Sequence, residues 1–126
     1  MSLLLFVLAC TTDPEAPPEV AFDHVACDHC AMLVSEPAYA AVLDERNGKR
    51  HVFDDPGCLL RFVLEDHPAV ARMWFHDGEE WRRESNVAFT TGNRSPMDSG
   101  LRAVPPGTAG ALTLGAASAQ LLGGAP

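Results

Sequence analysis

The sequence is short of positive charge and of the residue sets that most enzymes use. It has 126 residues, with 9 lysines and arginines against 17 aspartates and glutamates, and a formal net charge of -8 at pH 7. Because binding to a phosphate backbone needs clustered basic side chains, this balance argues against a nucleic-acid partner. No catalytic triad, phosphate-binding loop or nucleotide motif stands out, so we do not expect an enzyme. A hydrophobic fraction of 47% still allows one small domain with a packed core.

Long apolar runs are also missing, and the run at the N-terminus is too short to span a bilayer. Leu3–Ala9 is followed by Cys10, and the letters VLAC resemble a bacterial lipobox, in which the cysteine is lipidated after cleavage. Residues 1–9 are therefore predicted to be a lipoprotein signal peptide, and Cys10 is predicted to anchor the mature chain to a membrane. Residues 10–22, rich in proline and acidic side chains, are predicted to form a flexible tether.

Turn and cap signals predict a small α+β domain over residues 23–126. The Asn47-Gly48 pair predicts a hairpin between the strand-like stretches AYAAVLDE and KRHVFDD. A helix is predicted to begin at Pro56 and to end near His67, because its apolar residues recur with helical spacing. The stretch ARMWFH then predicts a third strand, which completes a ββαβ unit.

The later part of the chain has weaker signals. EWRRESNVAFTTG and LRAV are predicted to contain short extended segments, and Thr108 is predicted to cap a marginal helix that ends at Leu122. Asp54 and Asp55 are interpreted as helix-capping residues whose charge suits a helix N-terminus. His51 is predicted to lie at the surface, because Lys49 and Arg50 precede it.

The stretch CDHCAM, from Cys27 to Met32, concentrates sulfur and nitrogen donors in six positions. A tight Cys-x-x-Cys turn can form a disulfide or share a metal ion. A thiol-disulfide catalyst usually has its first cysteine at a helix N-terminus, and the proline-rich segment before the motif makes that reading less favoured, although a structural disulfide stays open. A zinc site would use Cys27, Cys30, Cys58 and a histidine such as His29. A Cu(I) site would use thiolates together with methionine thioethers, which Zn(II) does not select.

Two methionines are candidate thioether donors. Met32 follows the cysteine pair directly, and Met97 lies in the polar loop RSPMDSG, where a core position is not obvious. The alternative for any methionine is that it fills a gap in the core, and this is the prediction for Met73 in its apolar strand.

Three motifs, in this order behind a lipobox, resemble the NosL family of copper lipoproteins that assist the assembly of nitrous oxide reductase. The motifs are CDHCAM, FDDPGCLL and SPMDSGLRAV, and the resemblance covers roughly residues 10–104. In two places where the family pattern has glycine, this chain has Ala31 and Asp98.

The resemblance implies a membrane-anchored Cu(I) carrier on the periplasmic side of a bacterial membrane, with a small ββαβ fold. It implies delivery of copper to an ABC-type maturation complex of nitrous oxide reductase or to another copper enzyme, and it leaves dimer formation around the metal open. The metal ligands that it implies are Cys27, Cys30, Met32, Cys58 and Met97, with Cys10 as the site of lipidation.

Overall fold

The computed structural model describes residues 13–123, so the predicted signal peptide and Cys10 lie outside the described residues. Within that range the chain forms two antiparallel sheets and two α-helices, which confirms the predicted α+β class. The first sheet has the strand order β2-β1-β3-β4. Its strands are β1 (Ala41–Glu45), β2 (Arg50–Phe53), β3 (Val70–His76) and β4 (Trp81–Arg83). Neither α-helix in residues 13–123 has the length and apolar character needed to cross a membrane.

The predicted ββαβ unit is present in the first sheet. Strands β1 and β2 form an antiparallel hairpin in which Ala41 lies opposite Phe53, and its turn contains Gly48 with a φ of 89°. That left-handed backbone is the reason an Asn-Gly pair suits the turn. Helix α1 (Pro56–Asp66) follows β2, and the chain then returns as β3 on the other side of β1.

The second sheet has the strand order β6-β5-β7 and leads into the last helix. Its strands are β5 (Ala88–Thr90), β6 (Arg102–Val104) and β7 (Leu112–Thr113), and helix α2 spans Leu114–Leu122. The prediction that Thr108 caps this helix is wrong, since the capping residue is Thr113. Thr108 instead closes a turn on the carbonyl of Pro105, and Gly110 has a φ of 75°, which a right-handed helix does not admit.

Aromatic side chains join the two sheets in one core. The ring of Phe75 in β3 meets the ring of Phe89 in β5 edge to face, with 5.0 Å between centroids. Three further aromatic residues are buried, namely Phe53, Phe62 and Trp74. Met73 packs partly buried against the same core, as predicted. Val20 and Phe22 also pack against it, so the C-terminal end of the predicted tether contacts the domain.

His51 is buried, and the prediction that it lies at the surface is wrong. Only 6% of this residue is exposed, and its ring packs 4.6 Å from that of Phe62 in α1. Its Nε2 lies 3.0 Å from a carboxylate oxygen of Glu45, which gives the buried ring a polar partner. Arg50, the basic residue just before it, is exposed, and His51 points to the opposite, covered face because alternate residues of a strand face opposite sides.

Candidate metal centre

Three cysteines and one aspartate from two separate segments meet beside the start of α1. Cys27 and Cys30 come from the CDHCAM turn, Asp54 follows β2, and Cys58 lies in the first turn of α1. One donor atom from each residue lies within 4.8 Å of the others. Since metal–sulfur bonds are about 2.3 Å long, donors at this separation can share one ion. The cluster could therefore hold a metal ion, and Cys27, Cys30 and Cys58 are all free thiols.

The CDHCAM turn is closed by backbone hydrogen bonds. Ala26 and Leu33 form an isolated antiparallel bridge, the N–H of Cys27 donates to the carbonyl of Met32 at 2.7 Å, and the N–H of Ala31 donates back to Cys27 at 2.9 Å. Ala31 has a φ of 66°, in the left-handed region that disfavours any residue with a β-carbon. The first cysteine thus begins a turn and not a helix, as predicted.

Asp28 fastens this turn to the edge strand β2. Its N–H donates to the carbonyl of Val52 at 2.9 Å, and its carboxylate accepts from the N–H of Val52 at 2.9 Å. The same carboxylate oxygen lies 3.5 Å from Nδ1 of His51. Because β2 leads directly into Asp54 and α1, docking the turn on this strand brings the first two thiols over the start of the helix.

The two aspartates before α1 have different roles. Asp55 caps the helix, as predicted, because its Oδ1 accepts from the N–H of Gly57 at 2.7 Å. Asp54 does not cap: only 2% of it is exposed, and its Oδ1 accepts from the thiol of Cys30 at 3.3 Å. Sequence reasoning therefore missed Asp54 as a member of the cluster. The available signal was a second carboxylate four positions before a candidate ligand, Cys58.

The three thiols differ in acidity because they share hydrogen bonds. The thiol of Cys58 donates to Cys27, and this is the main reason the pKa of Cys27 falls to about 6, even though burial opposes it. Burial raises the pKa of Cys30 to about 11, and hydrogen bonds to Cys27 and Asp54 add to this. The pKa of Cys58 is also raised, first by its hydrogen bond to Cys27 and then by burial. Cys27 is therefore the most acidic of the three thiols in the metal-free cluster.

The predicted methionine donors flank the cluster. Met32 is 60% exposed at the end of the CDHCAM turn. Met97 is 36% exposed, and its N–H donates to Oδ2 of Asp55 at 2.9 Å, which brings its backbone to the N-terminus of α1. Asp98, the next residue, has a φ of 56°. The structure thus brings the three cysteines together and places the loop of Met97 beside the same helix start, while the thioethers stay predicted ligands.

Among the described residues 13–123, no histidine belongs to the cluster, and its fourth donor is Asp54. Nε2 of His29 lies 3.2 Å from a carboxylate oxygen of Glu65, on the surface of α1. His76 accepts from the N–H of Gly78, and burial lowers its pKa. The zinc alternative therefore has an aspartate in place of the histidine that the sequence predicts.

Comparisons of the chain with protein-family models, with curated proteins and with solved structures found no match. The resemblance to the NosL family therefore depends on the three motifs and stays a prediction.

Proposed function

We propose that this protein binds Cu(I) through the thiols of Cys27, Cys30 and Cys58 and passes the ion to a copper enzyme or to its assembly apparatus. The observation that carries the proposal is the convergence of three free cysteines, distant in sequence, on one small site. Cu(I) selects thiolate and thioether ligands and is bound by few of them, so three sulfurs suffice. Binding and transfer need no turnover, so the protein acts as a carrier and not as an enzyme.

Two of the departures from the NosL pattern, at positions where the family has glycine, also support the proposal. Ala31 and Asp98 stand where the family pattern has glycine, and their φ angles are 66° and 56°. Glycine adopts this left-handed backbone more readily than any other residue. A chance match of cysteines and methionines would not explain why these two positions, where the family pattern has glycine, have a backbone suited to glycine.

An open edge suits a site that releases its ion. Cys27 and Cys58 are buried, whereas Cys30 is partly exposed, and the side chains of Met32 and Met97 are exposed. Thioether donors on the solvent side could take part in stepwise ligand exchange with a partner's own sulfur ligands. We propose that these two methionines serve as the exchangeable donors.

The rest of the proposal comes from the resemblance and from the N-terminal sequence. We propose that residues 1–9 are removed, that Cys10 is lipidated, and that the domain faces the periplasm at a bacterial membrane. The recipient would be an ABC-type maturation complex of nitrous oxide reductase or another copper enzyme. Mass spectrometry of the protein from bacterial membranes should show an acylated N-terminal Cys10, and Cys10→Ala should release the protein from the membrane fraction.

Anaerobic titration with Cu(I) against a competing chelator tests the site. The double variant Cys27→Ser/Cys30→Ser should lose tight binding, and Met97→Ala should weaken it. Leu122→Ala, which shortens another exposed apolar side chain on α2, is the control and should bind as the unmodified protein does. If the double cysteine variant binds Cu(I) with unchanged affinity, the proposed site is wrong.

A zinc-stabilised interaction domain is the second candidate, and the position of Asp54 favours it. Three thiolates and one carboxylate make a four-donor set of the kind that Zn(II) binds in structural sites. Zinc recovered with the purified protein, with unfolding on chelation, would support this candidate. Asp54→Asn separates the two: it should lower Zn(II) affinity, whereas Cu(I) held by sulfur alone should be bound as before.

A further inference from the structure

The carboxylate of Asp55 has more partners than a helix cap requires. The residue is 0% exposed. Its Oδ1 accepts from the N–H of Gly57 and from the hydroxyl of Ser99, while its Oδ2 accepts from the N–H of Met97 at 2.9 Å. Only the first of these bonds belongs to α1. The other two come from the loop that contains Met97, some forty positions further along the chain.

This loop lies directly on the first turn of α1. A β-carbon placed on Gly57 would overlap the β-carbon of Ser99, so the loop can approach this closely only because residue 57 is glycine. Within the loop, the hydroxyl of Ser95 accepts from the N–H of Gly100 at 3.0 Å and lies 3.3 Å from the hydroxyl of Ser99. The loop is therefore held together by its own hydrogen bonds, and the carboxylate of Asp55 joins it to the helix.

We propose that Asp55 is a positioning residue of the metal centre, which holds the Met97 loop against the helix that carries Cys58. One carboxylate then determines the relative position of a thiol and a thioether from distant parts of the chain. This inference rests on the proposed function in one respect, since it takes Met97 as a copper donor. Asp55 itself touches no metal and acts through Met97.

Asp55→Asn is the direct test, because the amide preserves the size of the side chain and removes one acceptor. Whichever way the amide is turned, an NH₂ group faces an N–H or O–H donor that the carboxylate accepted before. The Cu(I) affinity of Asp55→Asn should fall by about 10- to 100-fold, the range seen when residues that support metal ligands are changed. Met97→Ala should cause a similar loss.

The double variant Asp55→Asn/Met97→Ala decides whether Asp55 acts through Met97. If it does, the Cu(I) affinity of the double variant should equal that of the single variant with the lower affinity, because both changes remove the same interaction. Losses that multiply in the double variant would overturn the proposal.

A second measurement needs no copper. In metal-free protein labelled at the methionine methyl carbons, the Met97 resonance should move in Asp55→Asn, towards the position of a methionine free in solution. It should also move in Gly57→Ala, whose added methyl group overlaps the β-carbon of Ser99 and lies 3.2 Å from Oδ1 of Asp55, and so displaces the loop while residue 55 keeps its carboxylate. Gly115→Ala, at the second position of α2 with open space around it, is the matched control and should leave the resonance unchanged.

The two measurements separate the possible failures. An unmoved Met97 resonance in folded Asp55→Asn would overturn the positioning role of Asp55. If Asp55→Asn does not fold, an unmoved Met97 resonance in Gly57→Ala would overturn it instead. The resonance could move as expected while Met97→Ala leaves Cu(I) affinity unchanged. In that case Asp55 positions the loop, but Met97 is not a copper ligand. That result would overturn the link between Asp55 and the metal.

Discussion

The two α-helices begin alike in sequence and differ in their surroundings. Each has an oxygen-bearing capping residue, Asp55 or Thr113, and each has glycine as its second residue, Gly57 or Gly115. The start of α1 is buried and receives the cysteine turn and the Met97 loop, whereas Thr113 is exposed and Gly115 has nothing within 4 Å of its missing side chain. Similar local sequence thus makes two helix starts, and tertiary contacts make one of them a candidate metal centre.

The largest difference should appear when the two caps are removed. Asp55→Ala should lower the free energy of unfolding by about 3 kcal/mol or more, because it leaves the buried N–H of Gly57 and the partly buried donors of Met97 and Ser99 without a charged acceptor. Thr113→Ala, at an exposed cap with one hydrogen bond, should cost about 1 kcal/mol or less. Guanidinium chloride unfolding of the metal-free protein measures both. Equal losses would contradict the comparison.

The second difference concerns pH, since the start of α1 and not that of α2 carries thiols that share hydrogen bonds. The pKa of Cys27 is about 6 in the folded protein and ordinary in the unfolded chain, so between about pH 6 and pH 8 the unfolded chain binds more protons. The stability of reduced, metal-free protein should therefore rise with pH in this window, by at most about 1.4 kcal/mol per pH unit. At higher pH it should fall, because folded Cys30 and Cys58 keep protons that the unfolded chain loses.

Unfolding midpoints measured across this pH range test that profile. Cys27→Ser should abolish the rise, while Gly115→Ala in α2 should keep it. A rise that survives in Cys27→Ser would show that another group is responsible.

The third test exchanges the two matched glycines for alanine. Gly57→Ala should destabilise the protein by about 1–3 kcal/mol, because the new methyl group overlaps Ser99. Gly115→Ala should stabilise it by up to about 1 kcal/mol, since alanine favours a helix and meets no neighbour there. Thermal or chemical unfolding gives both values, and a neutral Gly57→Ala would mean that the Met97 loop does not lie on α1.

The smallest effects should come from the left-handed residues in the segments around α1. Ala31→Gly and Asp98→Gly should each raise the free energy of unfolding by up to about 1 kcal/mol, because glycine relieves the backbone strain at φ angles of 66° and 56°. In α2, Ala116→Gly should do the opposite and cost about 1 kcal/mol. Stabilities that fall in all three variants would contradict the left-handed assignment.

Features governed by neighbouring residues could be predicted from the sequence. The Asn47-Gly48 hairpin, the Asp55 cap and the start of α1 at Pro56 are confirmed, because each depends on backbone preferences over a few positions. The final helix begins later than the sequence predicts, because Leu112 and Thr113 pair with β5 and this pairing overrides the local signal at Thr108.

The members of the metal centre were only partly predictable. Cys27 and Cys30 could be identified because sulfur at Cys-x-x-Cys spacing has few uses, and the resemblance to the NosL family also indicated Cys58. Asp54 could not, because a carboxylate before a helix has the same local pattern whether it caps the helix or faces a thiol. The burial of His51 differs from the prediction for a related reason, since it depends on which strand face α1 covers.

The sequence by itself determined where the chain turns, where α1 begins and which side chains can bind a soft metal, because these follow from the chemistry of residues and their near neighbours. Only the tertiary structure decided that Cys27, Cys30 and Cys58 share one site with Asp54, and that Asp55 holds the Met97 loop beside it. Such contacts join residues far apart in the chain. They depend on how the cysteine turn docks on β2 and how the loop packs on Gly57, and local preferences do not encode either.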